Sequence, residues 1–97
     1  LLANRGYVKG MFDHYQLGVT YFELGRYDKA LENFEKQSKE YNFAENIYFK
    51  SKVSKIRNKD YLDLKMLALQ TYDEGKTMKD VYTHHFNKVY RKEIEEL

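Results

Sequence analysis

Three histidines are the side chains in this 97-residue sequence whose chemistry is easiest to recognise, because imidazole is the commonest metal ligand in proteins. His84 and His85 are adjacent, and neighbouring residues on a helix point about 100° apart, so the two rings cannot share a face. No His or Glu lies four residues from either of them or from His14. The sequence therefore predicts packed or surface histidines and no metal site.

The remaining reactive groups do not form a catalytic pattern. Asp and Glu are scattered over polar faces, Ser and Thr lack a His or Lys at a useful spacing, and no Gly-rich phosphate loop is present. The absence of Cys excludes disulfides and thiolate zinc sites, which is typical of a protein in a reducing cytoplasm. We therefore expect no enzymatic activity and no cofactor, and a cytoplasmic location.

The densest charge lies between residues 50 and 59, where five side chains are cationic: Lys50, Lys52, Lys55, Arg57 and Lys59. On a helix they form two strips, Lys50 with Arg57 and Lys52 with Lys55 and Lys59. Three interpretations stay open: a solvated face with long apolar stems, a site for an acidic partner, or a site for nucleic acid. The first is favoured, and the last is unlikely because the net charge is only +2.

The elements that position these residues are predicted to be helices, since the chain has no Pro and five Gly. Residues 1–6 resemble a last helical turn ending at Gly6. Helical apolar spacing then predicts helices over about 12–24, 27–41, 43–57 and 61–74, and a fifth from Thr77, capped with Asp80, to about Glu96. The first and fourth are apolar on most sides and are expected to be buried on most sides.

Two further features concern the context of the chain. No apolar run approaches the roughly 20 residues that a membrane span needs, so we expect no membrane contact. The sequence begins with Leu1 rather than Met and lacks a signal-peptide pattern, which we interpret as a fragment of a longer chain that forms a single domain over 1–97.

The pattern Leu17-Gly18-x-x-Tyr21, followed by Ala30 and Phe34 with Gly25 in the turn, resembles the tetratricopeptide repeat, a 34-residue helix–turn–helix unit. The resemblance implies an all-α fold of antiparallel helix pairs in a right-handed superhelical stack, with about five helices. Residues 11–44 form the well-matched repeat, 45–76 a divergent one, and 77–97 a terminal capping helix. The stretch 21–36 also resembles repeats in the peptide-sensing regulators of Gram-positive bacteria, of the Rap, NprR, PlcR and Rgg type.

The register of the second repeat has two alternatives. An offset of 34 residues puts Lys52 at the close-packed position of Gly18, where a buried lysine would be costly. An offset of 33 puts Ser51 there instead, and we prefer it. With the preferred offset of 33, the residues that face the inner wall of the stack are Tyr48, Phe49, Lys52, Lys55 and Ile56. With the offset of 34, the inward-facing residues are Asn46, Phe49, Lys50, Val53, Ile56 and Arg57.

The resemblance implies that a protein or peptide partner binds on the concave wall formed by the first helix of each pair. The first repeat is expected to expose an apolar groove there, unless a flanking repeat covers it, and a second copy of the chain is an alternative occupant. The predicted contact residues are Phe12, Tyr15, Gln16, Val19, Phe22, Phe49, Lys52, Lys55 and Ile56, with Glu23 also exposed on the wall. A sensor region of a transcription regulator and a structural module remain alternatives.

Overall fold

The computed structural model describes residues 10–78 and 89–97. The predictions for Gly6, Asp80, His84 and His85 lie outside these ranges. The described residues form five helices and no strand, and the first four agree with the predicted helices to within one or two residues at each end. The helices are α1 (Asp13–Glu23), α2 (Tyr27–Glu40), α3 (Ala44–Ile56), α4 (Leu62–Asp73) and α5 (Arg91–Glu95).

Helices α1 and α2 form an antiparallel pair that closes on Gly18. A Cβ atom added to Gly18 would lie 2.4, 2.6 and 3.0 Å from three ring carbons of Phe34, so only glycine allows the ring to pack this closely on the helix. Both residues are buried. The Gly and Phe of the sequence pattern are therefore the two sides of one contact.

The turn between α1 and α2 requires a second glycine. Gly25 has a φ of +76°, a left-handed conformation that residues with a Cβ rarely adopt. The backbone amide of Gly25 donates to the carbonyl of Phe22, and that of Arg26 donates to the carbonyl of Tyr21. These bonds satisfy carbonyls at the end of α1 and reverse the chain into α2.

Gln37 on α2 makes three hydrogen bonds, two of which reach the start of α1. Its side-chain oxygen accepts from the backbone amide of Tyr15 at 3.0 Å, and its nitrogen donates to the carbonyls of Met11 and Tyr41 at 2.8 Å each. The N-cap residue of α1, Phe12, has no side chain that could cap the helix. Gln37 thus caps the start of α1 from the neighbouring helix.

Helices α3 and α4 repeat this arrangement with an offset of 33 residues at the close-packed position. Ser51 is fully buried, 33 residues after Gly18, and its hydroxyl donates to the carbonyl of Tyr61 at 3.0 Å. At the other end, the amide of Ala44 donates to the carbonyl of Lys76 at 2.9 Å. The structure thus has the preferred register, with Ser51 rather than Lys52 in the close contact.

The two pairs stack through a polar face of α3 against α2. Asn46 is fully buried and donates to α2, and Lys50 lies 3.1 Å from Glu35. Arg57 pairs with Asp28 near the other end of the interface. These residues were inward-facing in the rejected register, and their contacts place them between the pairs instead.

The 89–97 segment packs beside α4 and completes the core. Arg91 makes two hydrogen bonds to Asp73, of 2.7 and 2.9 Å, and Lys55 contacts the carbonyl of Leu97. The segment therefore runs antiparallel to α4, as a cap on the end of the stack, and Ile94 is fully buried. The buried apolar cluster comprises Phe12, Tyr15, Val19, Ala30, Phe34, Phe43, Ile47, Tyr48, Phe49, Val53, Ala68, Met78, Val89 and Ile94.

The prediction of one helix from Thr77 to Glu96 is wrong. Tyr90 is extended, with φ −101° and ψ 155°, and α5 begins only after it. The buried hydroxyl of Thr77 has no hydrogen-bond partner among residues 10–78 and 89–97, and its predicted capping arrangement with Asp80 lies outside these ranges. The buried carboxylate of Glu45 instead accepts the amide of Met78, with both oxygens 3.2 Å from that nitrogen.

The expectation that α1 and α4 are buried on most sides is also wrong. Five large apolar side chains are at least 45% exposed: Leu17 on α1, Leu24 at its C-cap, and Leu62, Met66 and Leu67 on α4. Among the described helices, α1 packs mainly on α2 and α3, and α4 packs mainly on α3 and α5. These neighbours leave the five side chains named above exposed. The prediction rested on the many apolar residues of these helices, but a dense apolar sequence does not by itself bring a neighbour to every side of a helix.

Candidate protein-binding site

Four predicted contact residues are core residues in this structure. Phe12 and Val19 are each 2% exposed, Tyr15 is 0% exposed and Phe49 is 9% exposed. The expectation that the first repeat exposes an apolar groove is therefore wrong at Phe12, Tyr15 and Val19. A partner cannot contact these side chains unless the structure opens.

Aromatic packing is the physical reason for their burial. The ring of Tyr15 lies 5.0 Å from that of Phe43 and 5.9 Å from that of Phe49, both edge to face, and Phe12 lies 5.1 Å from Phe43. Burial, and secondarily the carboxylate of Glu45, raises the pKa of the Tyr15 phenol well above its ordinary value. The ring cluster stabilises the junction of α1 and α3 rather than lining an open surface.

The accessible part of the inner wall is what we call the inner patch: Phe22 on α1 and Lys52, Lys55 and Ile56 on α3. Phe22 and Lys52 are half-buried, Lys55 is exposed, and Ile56 is 44% exposed. The patch combines an aromatic ring, an aliphatic side chain and two ammonium groups. All four were predicted contact residues, and they lie where the ends of α1 and α3 meet.

Lys52 is the centre of the inner patch. Its ammonium lies 5.4 Å from the ring centroid of Phe22, 5.5 Å from that of Tyr48 and 5.9 Å from that of Phe49. These distances are within cation–π range, and each contact of this kind contributes about 0.5–2 kcal/mol. Among residues 10–78 and 89–97, no carboxylate forms an ion pair with this ammonium. Lys52 is thus a positioned cation that can still accept an anionic partner group.

The two basic strips of α3 differ in how much of their charge is already paired. Lys50 and Arg57 form ion pairs with carboxylates of α2, so their charges belong to the stack. Lys55 lies 5.2 Å from the ring centroid of Tyr61 and contacts a backbone carbonyl, and among the described residues it has no carboxylate partner. The accessible positive charge of α3 therefore lies on the inner wall.

Gln16, the remaining predicted contact residue, lies on another surface. It is half-buried and lines a shallow groove of about 400 Å³ together with Asp13, Leu17 and Thr20. We call Asp13, Leu17, Thr20 and Leu24 the outer strip of α1. The sequence reasoning missed this surface, although the 33-residue offset to α3 could have revealed it.

His14 lies on α1 with its Nδ1 atom 2.6 Å from a carboxylate oxygen of Glu40 on α2. In residues 10–78 and 89–97 no three His, Cys, Asp or Glu side chains come together as a possible metal site. No helix within the same ranges is long and apolar enough to cross a bilayer.

Comparison with known proteins gives one match. Residues 13–36 match the family model for the tetratricopeptide repeat. This stretch is similar to a tetratricopeptide repeat. The match covers α1, the Gly25 turn and most of α2, and it confirms the predicted resemblance for that pair. No curated protein and no solved structure matches the chain.

Tetratricopeptide repeats generally mediate protein–protein interactions. The matched part contributes Phe22 to the inner patch, whereas Lys52, Lys55 and Ile56 come from the second pair, outside residues 13–36. The narrower resemblance to peptide-sensing regulators stays a prediction.

Proposed function

We propose that this chain binds a protein partner through the inner patch, and that the partner presents an acidic side chain next to an aliphatic one. The observation that carries this proposal is the ammonium of Lys52, which lies over three aromatic rings and has no carboxylate partner among the described residues. A partner carboxylate would pair with this ammonium, and Ile56 would contact the neighbouring aliphatic group.

The geometry supports an anion because the cation is already positioned. The three rings already position the ammonium, so binding loses little side-chain entropy when this group is engaged. The half-buried location also reduces the screening of a new ion pair by solvent. The patch is small, so we expect affinity in the micromolar range, as is typical of transient interactions.

Peptide selection tests this function without knowledge of the natural partner. The immobilised chain is panned against a random peptide display library, and synthetic versions of the selected peptides are titrated by calorimetry. We expect an Asp or Glu beside Ile, Leu or Val in the selected peptides. Lys52→Glu should weaken their binding by about 10-fold or more, because the lost ion pair and the new repulsion between carboxylates together amount to about 1.4 kcal/mol.

Lys36→Glu is the matched control, because it makes the same charge change on the exposed face of α2. It should leave the affinity within about 2-fold of the unmodified chain, where the free-energy difference is below about 0.5 kcal/mol. Equal weakening by both substitutions would mean that binding depends on net charge alone. Selection of peptides without acidic residues would contradict the proposed partner chemistry.

A second proposal, peptide sensing, follows from the position of Lys55. This residue belongs to the inner patch and also contacts the carbonyl of Leu97, so a ligand carboxylate that captures Lys55 would compete with the 89–97 segment. A peptide-sensing region of a regulator would use such a coupling to release one element when ligand binds. Hydrogen exchange tests it: selected peptides should accelerate exchange in α5, and unchanged α5 exchange would refute the coupling.

Self-association through the inner patch remains the structural alternative. Sedimentation equilibrium of the chain over a wide concentration range distinguishes it from a monomeric binder. A dimer that dissociates on Lys52→Glu would favour a second copy as the occupant of the patch over a different protein.

A further inference from the structure

An open pocket of about 460 Å³ lies where the turn between α1 and α2 meets the end of α3. Pockets of roughly 300–1,000 Å³ are typical sites for small ligands. This pocket, which we call the basic pocket, shares no residue with the inner patch. Its lining residues are Gly25, Arg26, Tyr27, Asp28, Lys29 and Arg57.

Charged side chains dominate the lining of the basic pocket. The cations are Arg26, Lys29 and Arg57. Asp28 contributes a carboxylate, so three positive charges less one negative charge leave a net charge of +2 on the lining. Pockets for small ligands are usually lined mainly by apolar side chains. An anion with more than one negative charge therefore matches the basic pocket better than a neutral ligand does.

Two of the three cations are available to a ligand. The guanidinium carbon of Arg26 lies 5.6 Å from the ring centroid of Tyr21, and this cation–π contact positions the charge. Among the residues that the structure describes, no carboxylate forms an ion pair with Arg26. The ammonium of Lys29 lies 3.9 Å from a carboxylate oxygen of Glu32, and both side chains are about half exposed, so this pair contributes little.

The third cation, Arg57, is only partly used by Asp28. The carboxylate of Asp28 would repel an anion, but it accepts a hydrogen bond from Nη1 of Arg57, so its charge is compensated within the pocket. A guanidinium has five N–H donors, and the bond to Asp28 leaves others for a ligand. Arg57 can therefore contact an anion without releasing Asp28.

A phosphate monoester fits this combination of charge and donors. It carries about −1.5 to −2 charges at pH 7 and three acceptor oxygens, which matches the net charge of the lining. A planar guanidinium can donate two parallel hydrogen bonds to a phosphate, and the pocket has two arginines. A carboxylate has a single charge and would leave the lining positive. A phosphate group fills only part of the pocket, so room remains for the group that is esterified to it.

We infer that the basic pocket binds a phosphate monoester, with Arg26 and Arg57 at the phosphate oxygens and Lys29 as an additional cation. This site goes beyond the proposed function, because it needs neither Lys52 nor any other residue of the inner patch. A small phosphate ester and a phosphorylated side chain of a protein share this chemistry, and the test below separates them.

Two-dimensional amide NMR of the labelled full chain tests the site, with doubly capped O-phosphoserine as the probe at about pH 7.5 and constant ionic strength. We expect saturable shifts of the amides of residues 25–29 and 57. Inorganic phosphate should bind at least about 3-fold more weakly because it lacks the ester group, and acetate should cause no saturable shift. A phosphoserine peptide that binds more tightly than the capped amino acid would identify a protein as the source. Equal binding would identify a small ester, and either result supports the site.

Matched charge variants separate the basic pocket from an effect of net charge. Arg26→Gln should weaken the binding of capped phosphoserine by about 5-fold or more. Lys36→Gln removes the same charge from the exposed face of α2 and should change the affinity by less than about 2-fold. Asp28→Asn should tighten binding by about 3-fold or more, because it frees Arg57 and removes a negative charge from the lining. Asp63→Asn, which makes the same charge change on the exposed face of α4, should leave the affinity unchanged.

Several outcomes would overturn the inference. Equal effects of Arg26→Gln and Lys36→Gln, or saturable binding of acetate, would show a response to charge alone. Unchanged or weaker binding to Asp28→Asn would show that Arg57 does not contact the ligand. Inorganic phosphate that binds as tightly as capped phosphoserine would exclude an ester as the ligand.

Two further variants keep the result interpretable. If Arg26→Gln loses its helical circular dichroism, Lys29→Gln takes its place with the same expected direction of change. Lys52→Glu should leave the binding of capped phosphoserine unchanged, since this residue belongs to the inner patch. Loss of binding in Lys52→Glu would place the phosphate at the inner patch and contradict a site at the basic pocket.

Discussion

Replacement of Gly18 by Ala is the sharpest test of the α1–α2 contact. The new methyl group would lie 2.4 Å from a ring carbon of Phe34, whereas favourable carbon–carbon contacts lie at about 3.5–4.0 Å. The ring cannot move away easily, because Phe34 is fully buried and stacks on Phe49 with centroids 5.8 Å apart. The substitution must therefore separate the two helices or push the ring off its preferred rotamer.

Two opposing effects set the size of the change. Overpacking a well-ordered core costs about 1–3 kcal/mol, and a clash with a fixed ring belongs at the upper end. Ala is a better helix former than Gly by about 1 kcal/mol, which offsets part of that cost. We expect Gly18→Ala to lower the free energy of unfolding by about 2 kcal/mol.

Urea denaturation followed by circular dichroism measures this change, and a double-mutant cycle assigns it to Phe34. Phe34→Leu alone should destabilise by about 1–2 kcal/mol because the smaller side chain leaves a cavity. In that background Gly18→Ala should cost less than about 0.5 kcal/mol, which gives a coupling energy of about 1.5 kcal/mol. A stabilising Gly18→Ala, or additive effects in the double mutant, would refute the close contact.

Three further predictions concern stability and the 89–97 segment. Gln37→Ala should lower the free energy of unfolding by about 2–3 kcal/mol in the same urea assay, because one buried and two partly buried hydrogen bonds are lost. A loss below about 0.5 kcal/mol would contradict the capping role. Burial, and secondarily the carboxylate of Glu45, raises the pKa of Tyr15. The neutral phenol therefore stabilises the fold below about pH 10, and this contribution is lost as the pH rises through the raised pKa. Tyr15→Phe should reduce this loss of stability at alkaline pH, and an unchanged dependence of stability on pH would contradict the prediction. The hydrogen bond from Arg91 lowers the pKa of Asp73, so this contact stabilises the 89–97 segment above the ordinary carboxyl pKa and is lost as the pH falls through the lowered pKa. Hydrogen exchange in α5 should therefore be faster at acidic pH and in Asp73→Asn, after correction for the intrinsic exchange rate. Equal corrected rates in Asp73→Asn and the unmodified chain would exclude the contact as an anchor of the segment.

The α1–α2 pair was predictable because its determinants are local. Gly18 and Phe34 lie 16 residues apart, and the helical spacing already places the glycine opposite the ring. The close contact between them then requires a residue without a Cβ atom. The register of α3 was also predictable, since the cost of burying Lys52 favours Ser51 at the close contact. In both cases the close packing that decides the residue type involves only one helix pair, so the sequence of that pair is enough to predict it.

Burial of the inner wall was not predictable in the same way. Phe12 and Tyr15 are core residues because α3 and the 89–97 segment join one cluster with α1, which is a consequence of contacts across most of the chain. The start of α5 at Arg91 has no Pro or Gly to mark it, because residues 76–97 contain neither. Lys52 was predicted to face inward. Its contact with the ring of Phe22 was not predicted, because that contact depends on how α1 and α3 approach each other.

The most direct test of the central claim is a map of where a selected acidic peptide binds. Two-dimensional amide NMR of the labelled chain, titrated with such a peptide, reports the environment of each backbone amide. We predict that the largest shifts cluster around Phe22, Lys52 and Ile56, and that they disappear in Lys52→Glu while the remainder of the spectrum is kept. Shifts centred on the exposed faces of α2 or α4, or shifts unaltered by Lys52→Glu, would contradict binding at the inner patch.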